Sequence, residues 1–192
     1  MKGRIVKLVL VAVLVLSGFG AMAQSKSKRP LDPQKFDAAL LEELIVQRID
    51  SLRKAHKKAS FGNDTVLKKA AADHAMYLAK KGTLSHFQEK GKRYNPQDRV
   101  IYYGGKGYYA GENVAEHPVQ VLLHKIKGQR FEKVTTYEQS AELFVLQWAT
   151  SKPHMENLMR DNYDLTGIAV SMDKKTGRIY AVQVFSPKPQ VQ

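Results

Sequence analysis

The 192 residues contain no cysteine. That absence rules out a disulfide framework, a thiol nucleophile, Cys-ligated zinc and lipid attachment at a cysteine. Acids are also scarce: 18 Asp and Glu face 31 Lys and Arg, for a formal net charge of +13. Such a chain is drawn to anionic neighbours or is kept soluble by self-repulsion. After Leu16 there is no further long apolar run, so nothing downstream has the roughly 20 apolar residues of a membrane-spanning helix. No His-Glu-x-x-His occurs, which excludes an ordinary zincin site. Neither Ser85 nor Ser151 sits in a nucleophile motif. Gly104-Gly-Lys-Gly107 lacks the spacing of a phosphate loop.

The first residues explain the one apolar run. Lys2, Arg4 and Lys7 precede Leu8 to Leu16, and Ala21-Met22-Ala23 ends in small residues before Gln24, which is the order of a secretory signal peptide over residues 1–23. Cleavage there would leave residues 24–192 without a transmembrane segment, in a periplasm or outside the cell. The remainder is still strongly basic. Export makes nucleic acid an improbable partner and points instead to anionic cell-wall polymer, lipid headgroups or acidic glycan. Residues 24–33 read as a tether, 34–186 as one domain and 187–192 as a tail with two prolines.

Within the domain, Phe36, Leu40, Leu44, Ile45, Ile49 and Leu52 recur at three and four, predicting a helix from after Asp32-Pro33 to about His56. Gly62-Asn63-Asp64-Thr65 is a turn and N-cap for a second helix with Leu67, Ala70, Ala71, His74, Ala75 and Leu78 on one face, and Gly82 ends it. A third is capped by Thr135 with Glu138 or by Thr136 with Gln139, and it buries Ala141, Phe144, Val145 and Trp148. Leu165 to Met172 and Arg178 to Ser186 flank Asp173-Lys-Lys-Thr-Gly177 as a hairpin, whose second strand is too apolar for exposure on either face. Helices followed by a hairpin give an α+β fold, a sandwich with the sheet covered on both faces. Residues 87–110, rich in Gly and Tyr, read as a long aromatic loop.

Three groups could do chemistry. His86, Glu112 and His154 each sit just beyond a regular element, and two imidazoles with a carboxylate suit a divalent metal, zinc first, or general acid and base work. Each alone has a plainer use, since a histidine at a helix end can cap orphan carbonyls. His74 reads as a satisfied core histidine, while His56, His117 and His124 carry no pattern. Ser151 reads as the hydroxyl cap of a further helix with Pro153 in its first turn and Met155, Leu158 and Met159 on its buried side.

Leu84-Ser-His86, Gly111-Glu-Asn-Val-Ala115, Trp148-x-x-Ser-x-x-His154-x-x-Asn157-Leu, Thr166-Gly-Ile-Ala-Val and Tyr180-x-x-Gln183-x-Phe185 follow one another in an order that resembles the CAP superfamily, most of all its bacterial SCP-like extracellular branch. The resemblance runs from about Leu41 to Phe185. It implies an α-β-α sandwich and a cleft where His86, Glu112 and His154 face one another and can hold a divalent metal. Asn113, Asn157, Trp148 and Ser151 would line or support it. The chain departs from many eukaryotic members in having Ser151 where they place a second glutamate, and in lacking their disulfides. Residues 116–137, with Lys125, Lys127, Arg130 and Lys133, look longer and more basic than the bacterial pattern.

The family is functionally diverse, so the resemblance names a scaffold before an activity. The first expectation is a non-enzymatic binding module for a lipid, peptide or glycan, with a metal site in the cleft. The alternative is a metal-dependent hydrolase or peptidase using His86, Glu112 and His154.

Overall fold

A computed structural model describes residues 28–119, 122–123 and 132–189 of the chain. The expected signal peptide, His124 and most of the basic segment around Lys125, Lys127 and Arg130 lie outside these residues. Pro33–Lys35 forms a 3-10 turn. It is followed by α1 (Ala38–Ala55), β1 (Gly62–Asn63), α2 (Thr65–Lys81), α3 (Pro96–Tyr102), β2 (Gly111–Pro118), β3 (Leu122–Leu123), β4 (Glu132–Lys133), α4 (Tyr137–Thr150), α5 (Lys152–Met159), β5 (Leu165–Asp173) and β6 (Arg178–Ser186).

The main sheet has the order β1-β5-β6-β2, with β1 parallel to β5 and the other pairs antiparallel. The predicted hairpin therefore supplies the two central strands, and Ile179 to Ser186 of β6 are all buried. Strand alternation sends Ile179, Ala181 and Phe185 to one face and Tyr180, Val182 and Val184 to the other. The first face packs against α1, α4 and α5, and the second against α2 and α3. This is the α-β-α sandwich. No helix among the described residues is long and apolar enough to cross a membrane.

The caps explain where the helices start. Asp37 accepts from the Leu40 N–H at 3.0 Å, so α1 begins at Ala38, later than the residue after Pro33, which is used by the short turn. Asp64 accepts from the N–H groups of Val66 and Leu67 at 2.9 Å each. Gly82, at φ 69, takes the left-handed conformation that ends α2. Of the two caps proposed for α4, Thr136 with Gln139 forms the reciprocal box. The alanines of α2 allow close approach to the sheet. At Gly167 on β5 a side chain would place its Cβ 2.1 Å from the Lys68 backbone nitrogen, so only glycine fits under that helix.

The end of the expected tether belongs to the fold. Leu31 is buried in the core, and its N–H donates to the Thr135 carbonyl at 2.7 Å. The expected loop of residues 87–110 likewise contains α3. Asn95 and Asp98 form a capping box there, with Pro96 opening the helix.

Candidate functional site: a wired glutamate between two histidines

β2 is an edge strand of the sheet, so side chains can reach it from either face. Glu112 is its second residue rather than a residue beyond it, and pairs across with Val184, which puts its carboxylate on the α2 face. A buried carboxylate needs compensation, and Glu112, with its side chain 1% exposed, receives it at both oxygens. Oε2 accepts from Arg99 at 2.7 Å, and Oε1 accepts from His86 Nδ1 at 2.9 Å.

Arg99 comes from α3 and is fully buried. Its guanidinium also donates to the carbonyls of His86 and Tyr94, both at 3.2 Å, and of Arg93 at 3.4 Å. One planar fork therefore neutralises Glu112 and gathers the loop that carries His86. Sequence reasoning missed Arg99, because the segment around it read as loop. The Asn95-Pro96-x-Asp98 box was the available signal for the helix that presents it.

His74, on α2, lies behind this pair with its ring fully buried. Its Nε2 donates to the Ser85 carbonyl at 2.7 Å and its Nδ1 accepts from Gln88 at 3.3 Å, which fixes the neutral tautomer. Burial lowers its pKa most, and the Glu112 charge only partly offsets that. It is the satisfied core histidine its pattern predicts, though it also lies 3.7 Å from Glu112.

His86 differs in having one ring edge free. Nδ1 is held by Glu112, the side chain is 43% exposed, and Nε2 has no hydrogen bond within the described residues. Since the carboxylate accepts, Nδ1 carries a proton, and in the neutral ring Nε2 is the nitrogen with the lone pair.

His154 reaches the site from the other face of the sheet, in the first turn of α5 rather than in a linker. Two asparagines set that helix against β2. Asn113, which points away from the Glu112 face, donates to the His154 carbonyl at 3.1 Å and accepts from Asn157 at 2.9 Å. Asn157 also donates to the Glu112 carbonyl at 3.3 Å. The His154 ring bonds neither His86 nor Glu112. Burial lowers its pKa, with the neighbouring His86 charge adding to the effect, and its buried Nδ1 has no partner.

Ser151 does not cap α5 through its hydroxyl; no such bond forms, and its N–H instead closes α4 on the Trp148 carbonyl at 3.3 Å. Trp148 is fully buried and packs 6.3 Å from Phe144, anchoring the end of α4. Ser85 accepts from the Phe87 N–H at 2.9 Å, so its hydroxyl shapes the loop.

These contacts test the expected three-ligand metal set. Among the described residues no three His, Asp or Glu side chains converge as ligands. Glu112 is engaged by Arg99 and holds His86 from behind through Nδ1. His86 keeps its Nε2 without a hydrogen bond among the described residues, and His154 keeps its buried Nδ1 without a partner.

Residues 46–185 match the family model of the cysteine-rich secretory protein family, CAP, so the chain belongs to the CAP family. Its fold is similar to three bacterial structures. An outer surface protein of Borrelia burgdorferi superposes with a TM-score of 0.58 at 18% identity, over 83% of this chain and 98% of that one. An extracellular SCP-domain protein of Bacillus anthracis gives 0.60 at 20% identity, over 83% of this chain and 45% of the other. A cysteine-rich secretory protein of Staphylococcus aureus gives 0.52 at 15% identity, over 79% and 40%. The chain thus spans less than half of the Bacillus and Staphylococcus proteins. Among curated proteins no sequence matches it.

Proposed function

We propose that the protein is an exported CAP-domain binding module that takes a lipid, peptide or glycan ligand at the cleft between His86 and His154, assisted by a divalent cation, zinc first. The observation that carries this reading is the wiring of Glu112. With Arg99 on one oxygen and His86 on the other, the carboxylate is a fixed support that leaves His86 Nε2 open. His86 and His154 would hold the cation, and it would supply a Lewis-acidic centre with open positions for an anionic or carbonyl group of the ligand.

A metal-dependent hydrolase in the same cleft is the weaker reading. A general base needs a free oxygen, and Glu112 could offer one only by giving up a buried charge pair. The Ser85 hydroxyl accepts from the Phe87 N–H, and no base is bonded to either the Ser85 or the Ser151 hydroxyl among the described residues.

The test is calorimetric titration of zinc into metal-free protein, beside the His86→Ala and His154→Ala variants. The expected result is micromolar binding, about −8 kcal/mol, that disappears in both variants. Heat that survives both substitutions would overturn the cation site. Turnover of a peptide or ester substrate that vanishes in the same variants would replace the binding reading by the hydrolase.

A further inference from the structure

A concave site lies at the end of the sheet where β2 begins and β6 ends, lined by none of His86, Glu112 and His154. It is a groove of about 860 Å³ lined in part by Lys106, Tyr109, Arg160, Asn162, Tyr163 and Lys188. That volume falls inside the range of roughly 300–1,000 Å³ typical of ligand sites. Its residues come from the loop before β2, the segment after α5 and the segment after β6. No acid lines it.

The cations are exposed and, among the described residues, none of the three forms an ion pair. Two carboxylates adjacent in sequence to the lining residues are already engaged. Asp161 pairs with Lys58, and Asp164 accepts from the backbone N–H of Lys188 at 3.1 Å, leaving that ammonium free. Arg160 is held in place without using its donors, because its guanidinium lies 5.1 Å from the Tyr163 ring centroid. Tyr163 is itself fixed. It stacks on Phe185 at 5.4 Å, and its hydroxyl crosses Gly111 where any Cβ would come within 2.2 Å.

Tyr109 supplies the other ingredient. Its backbone is tied to the Ser186 hydroxyl at 3.1 Å, yet its side chain is the most exposed large apolar group of the described chain, at 74%, with no ring against it. A free aromatic face beside three unpaired cations and an amide suits a chain of sugar rings that carries negative charge: the ring stacks, the amide meets hydroxyls, and the cations meet carboxylate or sulfate.

We infer that this groove binds an acidic polysaccharide, with Arg160, Lys106 and Lys188 pairing its charges and Tyr109 stacking on a sugar face. A single-stranded nucleic acid has related chemistry. The glycan is favoured because the family shown for this chain and its structural neighbours are secretory and extracellular proteins. The site is separate from His86 and His154, so it stands whether or not those residues hold a cation.

The experiment measures binding of the full chain to polygalacturonate and to dextran sulfate, with neutral dextran and oligothymidylate in parallel. Both acidic polysaccharides should bind, neutral dextran at least about tenfold more weakly, with affinity falling as salt rises. The combined Lys106→Gln, Arg160→Gln and Lys188→Gln variant should lose about tenfold and flatten the salt dependence. A control losing the same charge at exposed Lys54, Lys69 and Lys174 should stay within about twofold, as expected of screened charge far from the ligand. Tyr109→Ala should lose about threefold or more with the salt dependence unchanged, which isolates the stacking. Arg160→Gln alone, at an exposed side chain, decides the matter should the triple variant melt early. Equal losses in the two triple variants, full binding by Arg160→Gln and Tyr109→Ala, or tighter binding of oligothymidylate than of either polysaccharide would each overturn the site. His86→Ala and His154→Ala should leave this binding unchanged.

Discussion

The edge strand β2 carries two polar clusters, five residues apart and on opposite faces of the sheet. On the α2 face, Glu112 meets Arg99 and His86. On the α4 face, His117 is 2% exposed, its ring centroid lies 4.3 Å from that of Phe144, and both nitrogens are bonded. Its Nδ1 donates to the Pro118 carbonyl and its Nε2 accepts from the Ser140 hydroxyl, each at 3.0 Å. A serine bonded to a histidine nitrogen has the outline of a nucleophile pair, but here every atom is enclosed and no ligand can arrive. The two clusters teach that a hydrogen bond to a ring nitrogen does not by itself mark a site, since the half-exposed His86 and the enclosed His117 both have one. What separates them is the nitrogen left over, which His86 has and His117 lacks.

Breaking the Glu112 cluster should have the largest effect. Arg99→Met strands a buried carboxylate and frees three loop carbonyls, and should cost about 3–5 kcal/mol in chemical denaturation. Adding Glu112→Met should restore most of that loss, since replacing a buried ion pair by apolar groups is often close to neutral. A double variant as unstable as the single one would mean that Arg99 acts chiefly through the loop.

The next effect comes from pH. Burial lowers the pKa values of His74 and His117 below the ordinary 6.5, so the unfolded chain takes up protons that the folded one refuses. Stability should therefore fall as pH drops through 6.5 and level off only below the folded pKa values. Within that window each histidine contributes at most about 1.4 kcal/mol per pH unit. His154, lowered as well, adds to the same slope, so the slope of unfolding free energy against pH should drop by roughly a third in His117→Gln. An unchanged slope would place the acid sensitivity on His74 and His154.

The smallest contrast concerns the two ends of α4. Thr136 closes a capping box and Ser151 forms no side-chain cap. Thr136→Ala should cost about 1 kcal/mol. Ser151→Ala should stay within about 0.5 kcal/mol, read as the shift in melting temperature.

Most of the scaffold was legible in the residues because its signals are local. Asp64 and Gly82 bracket α2, Thr136 with Gln139 opens α4, and the Asp173 to Gly177 turn joins two apolar runs. His86, Glu112 and His154 were singled out by their places beside regular elements and again by the resemblance, yet their roles were not fixed by either. Whether Glu112 is a ligand or an orienting carboxylate depends on Arg99, and a charged residue in a Gly- and Tyr-rich stretch gives no sign of being wholly buried. His117 gave no sign either, since its partner Ser140 is 23 residues away on another element. Leu31 was misread because the polar residues before it dominate the local composition.

The placement of the hairpin has a consequence for how the chain is made. Both central strands come from residues 165–186, and β1 and β2 pair only with them. A ribosome must therefore finish nearly all of the domain before any part of the main sheet can form. Until β5 and β6 emerge, α1 and α2 have no sheet on which to bury their apolar faces, and the nascent chain stays open to chaperones. Loop closure over about a hundred residues, as in the Lys68 bond to the Ile168 carbonyl, then comes at the end, and vectorial synthesis delays folding instead of guiding it.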